Sequence, residues 1–383
     1  MKSLYDVLIV GAGPAGAIAA YHLAKAGLEV LILEKEQLPR YKVCGGGVLS
    51  RARPYLSVDI QDAVEETCSA AEVHFLDRHL HFTVERQTPI IWMTMRDRLD
   101  QLLTDAALAQ GAELQTQSPL KSIREHADHI EVRAAKGHCR TRFLIASDGV
   151  MSPTAKLAGW GPIQTSIPAL ECEVTVPESM RSRFAGIARF DFGLIPHGYA
   201  WVFPKKEHLS IGVLCMRRKR IPMQSYVHQY LELLNLAPIL KMTQRGFTIP
   251  IRPRHSPLAR GRILLAGDAA GLADPITAEG ISQAMASGYF AAQALVQKSA
   301  ESAQISALYQ KSLESHLLKE IQISRFFANL LYFATPLSNW IFQRQGQRLC
   351  EIMTDVMMGE ERLSGLILNP FNFLKLLDRP QTV

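Results

Sequence analysis

The sequence predicts an α/β protein in which a dinucleotide-binding βαβ domain is interrupted by an antiparallel sheet and followed by a helical C-terminal region. Three observations predict this. A strand, a glycine-rich turn and a helix stand in register at the N-terminus. A second buried strand with a Gly-Asp turn returns near residue 265. Between them lies a series of strands broken by turns.

The N-terminal unit runs from Leu4 to Glu34. Leu4 to Val10 is a short apolar, β-branched run, as expected of a buried strand. Gly11-Ala12-Gly13-Pro14-Ala15-Gly16 fits G-x-G-x-x-G. Ala17 to Ala26 carries apolar residues at helical spacing, and Gly27 closes the helix. Glu29 to Leu33 is a second strand, ending at Glu34 and Lys35. In such a unit the first glycine permits the tight turn, the second admits a pyrophosphate and the third lets helix and strand pack closely. The helix N-terminus offers N–H groups and partial positive charge to phosphate. Glu34 is placed to accept a ribose hydroxyl.

Next comes Pro39 to Val48, where three consecutive glycines, Gly45, Gly46 and Gly47, follow Cys44 and make a loop able to lie flat against a ligand. Ala71 to Val84 alternates like strands, and Met93 to Gln110 reads as a helix with Arg96 and Arg98 at its start. Cations there oppose the helix dipole, so a compensating anion is expected. Glu113 to Thr116, His129 to Ala134 and Arg140 to Ala146 read as strands, the last running into Asp148-Gly149.

Leu170 to Val176, Ile187 to Phe192, Tyr199 to Pro204 and Leu209 to Cys215 form the inserted antiparallel sheet, followed by a helix over Ile221 to Leu236. Arg262 to Ala266 returns to the first domain, with Gly267-Asp268-Ala269-Ala270-Gly271 after it and a helix over Glu279 to Val296. The expected division is a discontinuous nucleotide-binding domain (1–70, 93–160 and 255–300), a substrate sheet domain (71–92 and 161–254) and a C-terminal helical region (301–383).

Phe326 to Gln343 carries no charge and is rich in aromatics. Its length approaches a membrane span, but Pro336 and its polar neighbours argue for two short amphipathic helices bent at the proline. These would cap an apolar cavity or rest on a bilayer surface.

A net charge of +6 over 383 residues is mildly basic and does not suggest a nucleic-acid partner. The one basic run, Arg217 to Arg220, reads as a solvated loop, with a phosphate- or membrane-facing patch as the alternative. The six cysteines form no C-x-x-C pair and match neither a zinc site nor a disulfide framework, which favours a reducing compartment. The N-terminus enters the first strand directly, leaving no room for a signal peptide, so a cytoplasmic protein is expected, with peripheral membrane contact through the aromatic stretch as its relation to lipid.

Four blocks together resemble the FAD-dependent geranylgeranyl reductase family, within the p-hydroxybenzoate hydroxylase-like flavoproteins. They are the fingerprint with Glu34, the loop from Pro39 to Gly47, the strand Tyr199-Ala200-Trp201-Val202-Phe203-Pro204-Lys205, which is similar to the family's Y-x-W-x-F-P-K, and Gly267-Asp268 with Pro275 and Glu279-Gly280-Ile281. The resemblance implies a Rossmann-like FAD-binding domain. Asp268 would bond a ribityl hydroxyl, the N–H groups of Gly280 and Ile281 would face the flavin pyrimidine edge, and Arg96 would lie near the phosphates. Asp148 and Gly149 would sit beside the cofactor, and Gly45 to Gly47 would pass close to the ring. Two departures stand out: Ala278 where the family has glycine, and Lys156 where an arginine is expected.

The activity implied is hydride transfer from reduced FAD to isolated C=C bonds of a geranylgeranyl or other polyprenyl chain, a hydrophobic substrate. Such an alkene forms no oxyanion, so a close proton donor and a dry cavity are needed. Cys44 is the candidate proton relay or positioning group, and Tyr199 and Trp201 would line the cavity from one face of their strand. With one dinucleotide fingerprint occupied by FAD, the reductant would be NAD(P)H bound transiently or a ferredoxin-like donor. The rival readings are an FAD-dependent monooxygenase, a quinone-linked electron-transfer flavoprotein, whose usual iron–sulfur cluster these cysteines do not supply, and a flavin-free isoprenoid-binding protein.

Overall fold

The computed structural model describes residues 4–56, 58–217, 221–255, 257–297 and 301–368. Of the basic run, Arg218, Lys219 and Arg220 lie outside the described residues.

The first sheet is centred on Leu4–Val10, flanked in parallel by Val30–Leu33 and Gly137–Ala146. Glu113–Gln115 and Ile263–Leu265 extend it in parallel on either side. Thus the strand near residue 264 joins the N-terminal unit across more than a hundred intervening residues. Val30–Leu33 is buried at every position, which explains its unbroken apolar pattern. The helix Pro14–Lys25 packs against both Arg96–Ala109 and Ile281–Leu295. Its contact with the latter is backbone-close: a Cβ on Gly288 would stand 2.1 Å from the Ala15 carbonyl oxygen.

A seven-stranded sheet carries, in spatial order, Lys241–Pro250, Ser166–Thr175, Leu209–Cys215, Gly198–Pro204, Ile187–Phe192, Ala70–Phe75 and Leu80–Glu85. All pairs are antiparallel except Ile187–Phe192 with Ala70–Phe75. One face, with Ala200 and Val202, packs beneath Val227, Tyr230 and Leu231 of the helix Met223–Leu233. The other presents Tyr199 and Trp201 to the nucleotide-binding domain.

One strand was not expected from the sequence, and two sequence expectations are corrected. Lys241–Pro250 is a strand, although largely exposed and without apolar alternation. It is defined by backbone pairing along all of Ser166–Thr175, which side-chain periodicity cannot reveal. The helix expected from Met93 begins at Arg96, because Ile91–Thr94 pairs with Gly47–Leu49 and Val64–Cys68 in a small third sheet. The aromatic stretch belongs to two long helices, Lys319–Phe333 and Thr335–Met358. The chain breaks at Ala334, so Pro336 falls in the first turn of the second helix, where no intrahelical N–H is lost. No described helix is long and apolar enough to cross a membrane.

Candidate active site

The fingerprint glycines divide by role. Gly11 has φ +102°, and a Cβ there would lie 2.5 Å from the Ser147 carbonyl oxygen; one on Gly16 would lie 2.0 Å from that of Gly11. Both therefore shape the turn from behind. Gly13, Pro14 and Ala15 face the cleft. The groups nearest an added Cβ at Gly13 are the guanidinium nitrogens of Arg96 (3.7 Å) and Arg40 (3.9 Å). Two fixed cations beside a helix N-terminus suit a pyrophosphate. Glu34 is buried under this turn: Oε2 accepts the Ala12 N–H at 2.9 Å and Arg40 at 3.4 Å, and Oε1 accepts the Glu36 N–H at 3.1 Å. Lys35 is exposed and outside the cleft lining.

The anion expected for Arg96 is Asp100, one helical turn on, bonded bidentately at 2.8 Å through both nitrogens. Burial opposes the Arg96 charge, but Asp100 and the neighbouring Cys44 side chain raise its pKa above the ordinary arginine value. Asp100 also binds Arg40 at 3.0 Å. Arg40 lies in the Pro39–Gly47 block, which assigns it no role, and Asp100 belongs to no motif; their meeting in space marks them.

On the opposite wall, Gly267, Asp268, Gly280 and Ile281 line the cleft, and the Asp268 carboxylate lies 3.6 Å from Lys42 Nζ. Ala278 has φ +56°, the left-handed conformation that favours glycine, with its N–H donating to the Asp274 carbonyl at 2.8 Å. The loop thus keeps a glycine-like backbone despite the alanine. Pro275 is buried within it, away from the cleft lining. Gly149 reaches the cleft, whereas the Asp148 carboxylate is engaged by the Thr154 N–H (3.0 Å) and hydroxyl (2.7 Å) at the start of the helix Pro153–Leu157. Lys156 is exposed.

Between the walls passes the Cys44–Gly47 loop, held by the second sheet. The Cys44 N–H donates to Glu171 Oε2 at 2.8 Å, while Lys205 Nζ donates to the Gly45 carbonyl at 2.7 Å and the Thr94 carbonyl at 2.8 Å. An anion and a cation, both buried, thereby grip successive residues of the loop. Glu171 also accepts Tyr41 at 3.3 Å and Ser210 at 3.0 Å. Burial, with Glu173 nearby, pushes its carboxyl up to about 7. Burial lowers the Lys205 ammonium below the ordinary lysine value, against the pull of Glu173, Cys44 and Glu171. Neither residue was foreseen as a site residue. Lys205 ends the Y-x-W-x-F-P-K block, and this was the available signal. Glu171 had none, since one acid in a strand is unremarkable until its neighbours are known.

Tyr199, Trp201 and Phe203 line the far end of the cleft. The Tyr199 hydroxyl donates to the Thr277 carbonyl, and burial raises its pKa above the ordinary tyrosine value. Trp201 lies flat over Gly212, its cross-strand partner, where a Cβ would meet the indole at 2.1 Å. Its buried Nε1 has no partner and stands 3.3 Å from the Cβ position of Gly45. The whole cleft, including its open mouth, encloses about 1320 Å³. A second, almost wholly apolar cavity of about 660 Å³ shares Phe190, Tyr199, Thr277 and Met357 with it, and is closed by Leu331 and Phe342 of the C-terminal helices.

This constellation fits FAD: two guanidiniums at the glycine turn, a buried acid beneath it, a cradle of glycines and an unpartnered indole N–H. A family model described as an FAD binding domain matches residues 4–178. Digeranylgeranylglycerophospholipid reductase 2 of Methanothermobacter thermautotrophicus is 31% identical over 302 residues, covering 72% of this chain and 74% of that one. The structure of a geranylgeranyl bacteriochlorophyll reductase-like protein from Thermoplasma acidophilum aligns over 92% of both chains with a TM-score of 0.77 and 23% identity. The flavin-dependent brominase Bmp2 aligns over 93% of this chain and 94% of its own, with a TM-score of 0.74 and 18% identity; that likeness is one of fold. With the fingerprint, the thiol–glycine loop and the aromatic strand gathered around one cleft, this chain belongs to the FAD-dependent geranylgeranyl reductase family and is an FAD-dependent oxidoreductase.

Proposed function

We propose that the protein saturates C=C bonds of geranylgeranyl or other polyprenyl chains. One observation carries this reading: the apolar cavity behind Tyr199 meets, at Phe190, Tyr199, Thr277 and Met357, the cofactor cleft that Cys44 lines. Bound, reduced FAD supplies the hydride. The chain's own residues do the rest. Phe190, Tyr199 and Trp201 exclude water, which an unactivated alkene requires. Cys44 delivers the proton to the second carbon, its loop held by Glu171 and Lys205. Gly13 to Ala15, Arg96, Gly149, Asp268, Gly280 and Ile281 form the cofactor contacts, with Glu34 supporting the adenosine half from beneath. The reductant is NAD(P)H or a ferredoxin-like donor that docks transiently.

The test is anaerobic photoreduction of the flavoprotein followed by incubation with prenyl diphosphates, prenyl glycerolipids and prenylquinones. Mass spectrometry should record one pair of hydrogens added per double bond while the flavin reoxidises. No addition across the panel would overturn the reading. Oxygen-dependent hydroxylation of a substrate would replace it with a monooxygenase.

A further inference from the structure

The C-terminal helix pair has two unlike surfaces. Leu331 and Phe342 point inward and close the apolar cavity. Around the break at Ala334 three side chains face outward, Phe333 at 42% exposed, Leu337 at 50% and Trp340 at 52%, while Tyr332 and Ser338 stay buried; Phe326, at 64%, lies about two turns before Phe333 on the same helix face. One other described stretch, from Leu233 to Phe247, is at least as rich in exposed large apolar side chains, but it carries no tryptophan.

Along the helix segments that form this corner, and over its rings, the charges are arginines. Residues 321–350 contain Arg325, Arg344 and Arg348 and no acid. Arg344 lies over the Trp340 ring at 4.5 Å, and Arg217 lies over Phe333 at 5.6 Å. Phe333 also stacks on His197, whose Nδ1 lies 2.6 Å from the Tyr332 carbonyl, so the corner is fastened to the substrate sheet.

We propose that this corner seats the protein on an anionic lipid bilayer. Half-exposed aromatics flanked by arginines suit the headgroup boundary: the rings enter the acyl edge and the guanidiniums meet phosphate. A second copy of the chain is the poorer occupant, because a two-fold contact would bring like-charged arginine rims together. The proposal rests on the prenyl-reductase reading only for its purpose. A substrate chain would then pass from bilayer to cavity along one pair of helices.

The experiment uses the full-length flavoprotein and vesicles of phosphatidylcholine with or without phosphatidylglycerol, none carrying an isoprenoid chain. Failure of docking and failure of the reductase reading are thus separable. Sedimentation should show binding to the phosphatidylglycerol vesicles that weakens with salt. The double variant Phe333→Ser/Trp340→Ser should bind about tenfold more weakly or worse, with its flavin content unchanged. Trp92, Trp160 and Trp201 are buried, so brominated acyl chains should quench emission from Trp340 alone, and the quenching should vanish in Trp340→Phe while binding persists. Absence of vesicle binding, unchanged affinity in the double variant, or quenching retained in Trp340→Phe would overturn the proposal. So would a lipid-independent dimer that the double variant dissolves.

Discussion

Two glycine-rich loops border the same cleft, and they are held in opposite ways. The fingerprint turn is fixed by backbone of its own domain: Gly11 presses on the Ser147 carbonyl and Gly16 on that of Gly11. The Cys44–Gly47 loop is fixed by side chains of the other sheet, Glu171 and Lys205, with the Thr94 N–H donating to the Gly46 carbonyl at 2.9 Å. A loop closed on its own backbone needs only glycines at fixed spacing. A loop gripped by distant charged groups depends on how two domains meet, and its geometry is open to titration.

The largest expected effect tests the first kind of loop. Gly16→Ala drives a Cβ to 2.0 Å from backbone that cannot yield. It should cost about 3 kcal/mol or more and leave the protein without flavin absorbance. A yellow, normally stable variant would show that the turn is less rigid than its contacts imply.

At the second loop, Cys44→Ala should keep flavin content while lowering the rate of flavin reoxidation by prenyl substrate by about a hundredfold, the lower range for loss of a positioned proton donor. Full activity would remove Cys44 from the proton path and reduce the loop to a spacer.

Glu171 separates the two loops by pH. Its folded carboxyl stands near 7, above its ordinary 4.5, so the native state holds the proton more tightly than the unfolded chain. The contribution of Glu171 to stability is therefore fully present below about pH 4.5, is lost as pH rises to about 7, and is level above it. Glu171→Gln does not titrate. Its stability relative to wild type should grow by about 3 kcal/mol across that window, read by denaturant unfolding at several pH values. A difference constant with pH would mean that Glu171 does not titrate there.

The smallest effect concerns Ala278. Relief of its left-handed backbone in Ala278→Gly should gain up to about 1 kcal/mol, since an L side chain at such φ costs about 1–2 kcal/mol and glycine returns part of this as unfolded-state entropy. A loss of stability would show that the Ala278 methyl contributes packing that outweighs the strain.

The contrast also explains what could be read in advance. Leu4–Val10, Gly11 to Gly16 and Val30–Leu33 were legible because local spacing and burial define them. Tyr199 and Trp201 were legible as a pair because strand alternation puts them on one face. Arg40, Asp100 and Glu171 were not, because each acquires its role from a partner 39 to 127 residues away or from a loop on another domain. The edge strand Lys241–Pro250 was hidden for the same reason, since backbone pairing leaves no side-chain period.

By itself, then, the amino-acid sequence determined the dinucleotide turn, the discontinuous α/β plan and the motifs that mark a prenyl-reductase relative, because each depends on residues near in the chain or on a recurrent block. Only the tertiary structure decided that a carboxylate and an ammonium grip the thiol loop, and that the uncharged aromatic stretch is split between a cavity wall and an exposed corner. Both outcomes depend on which surfaces face each other after folding, and that is set by packing between segments far apart in the chain.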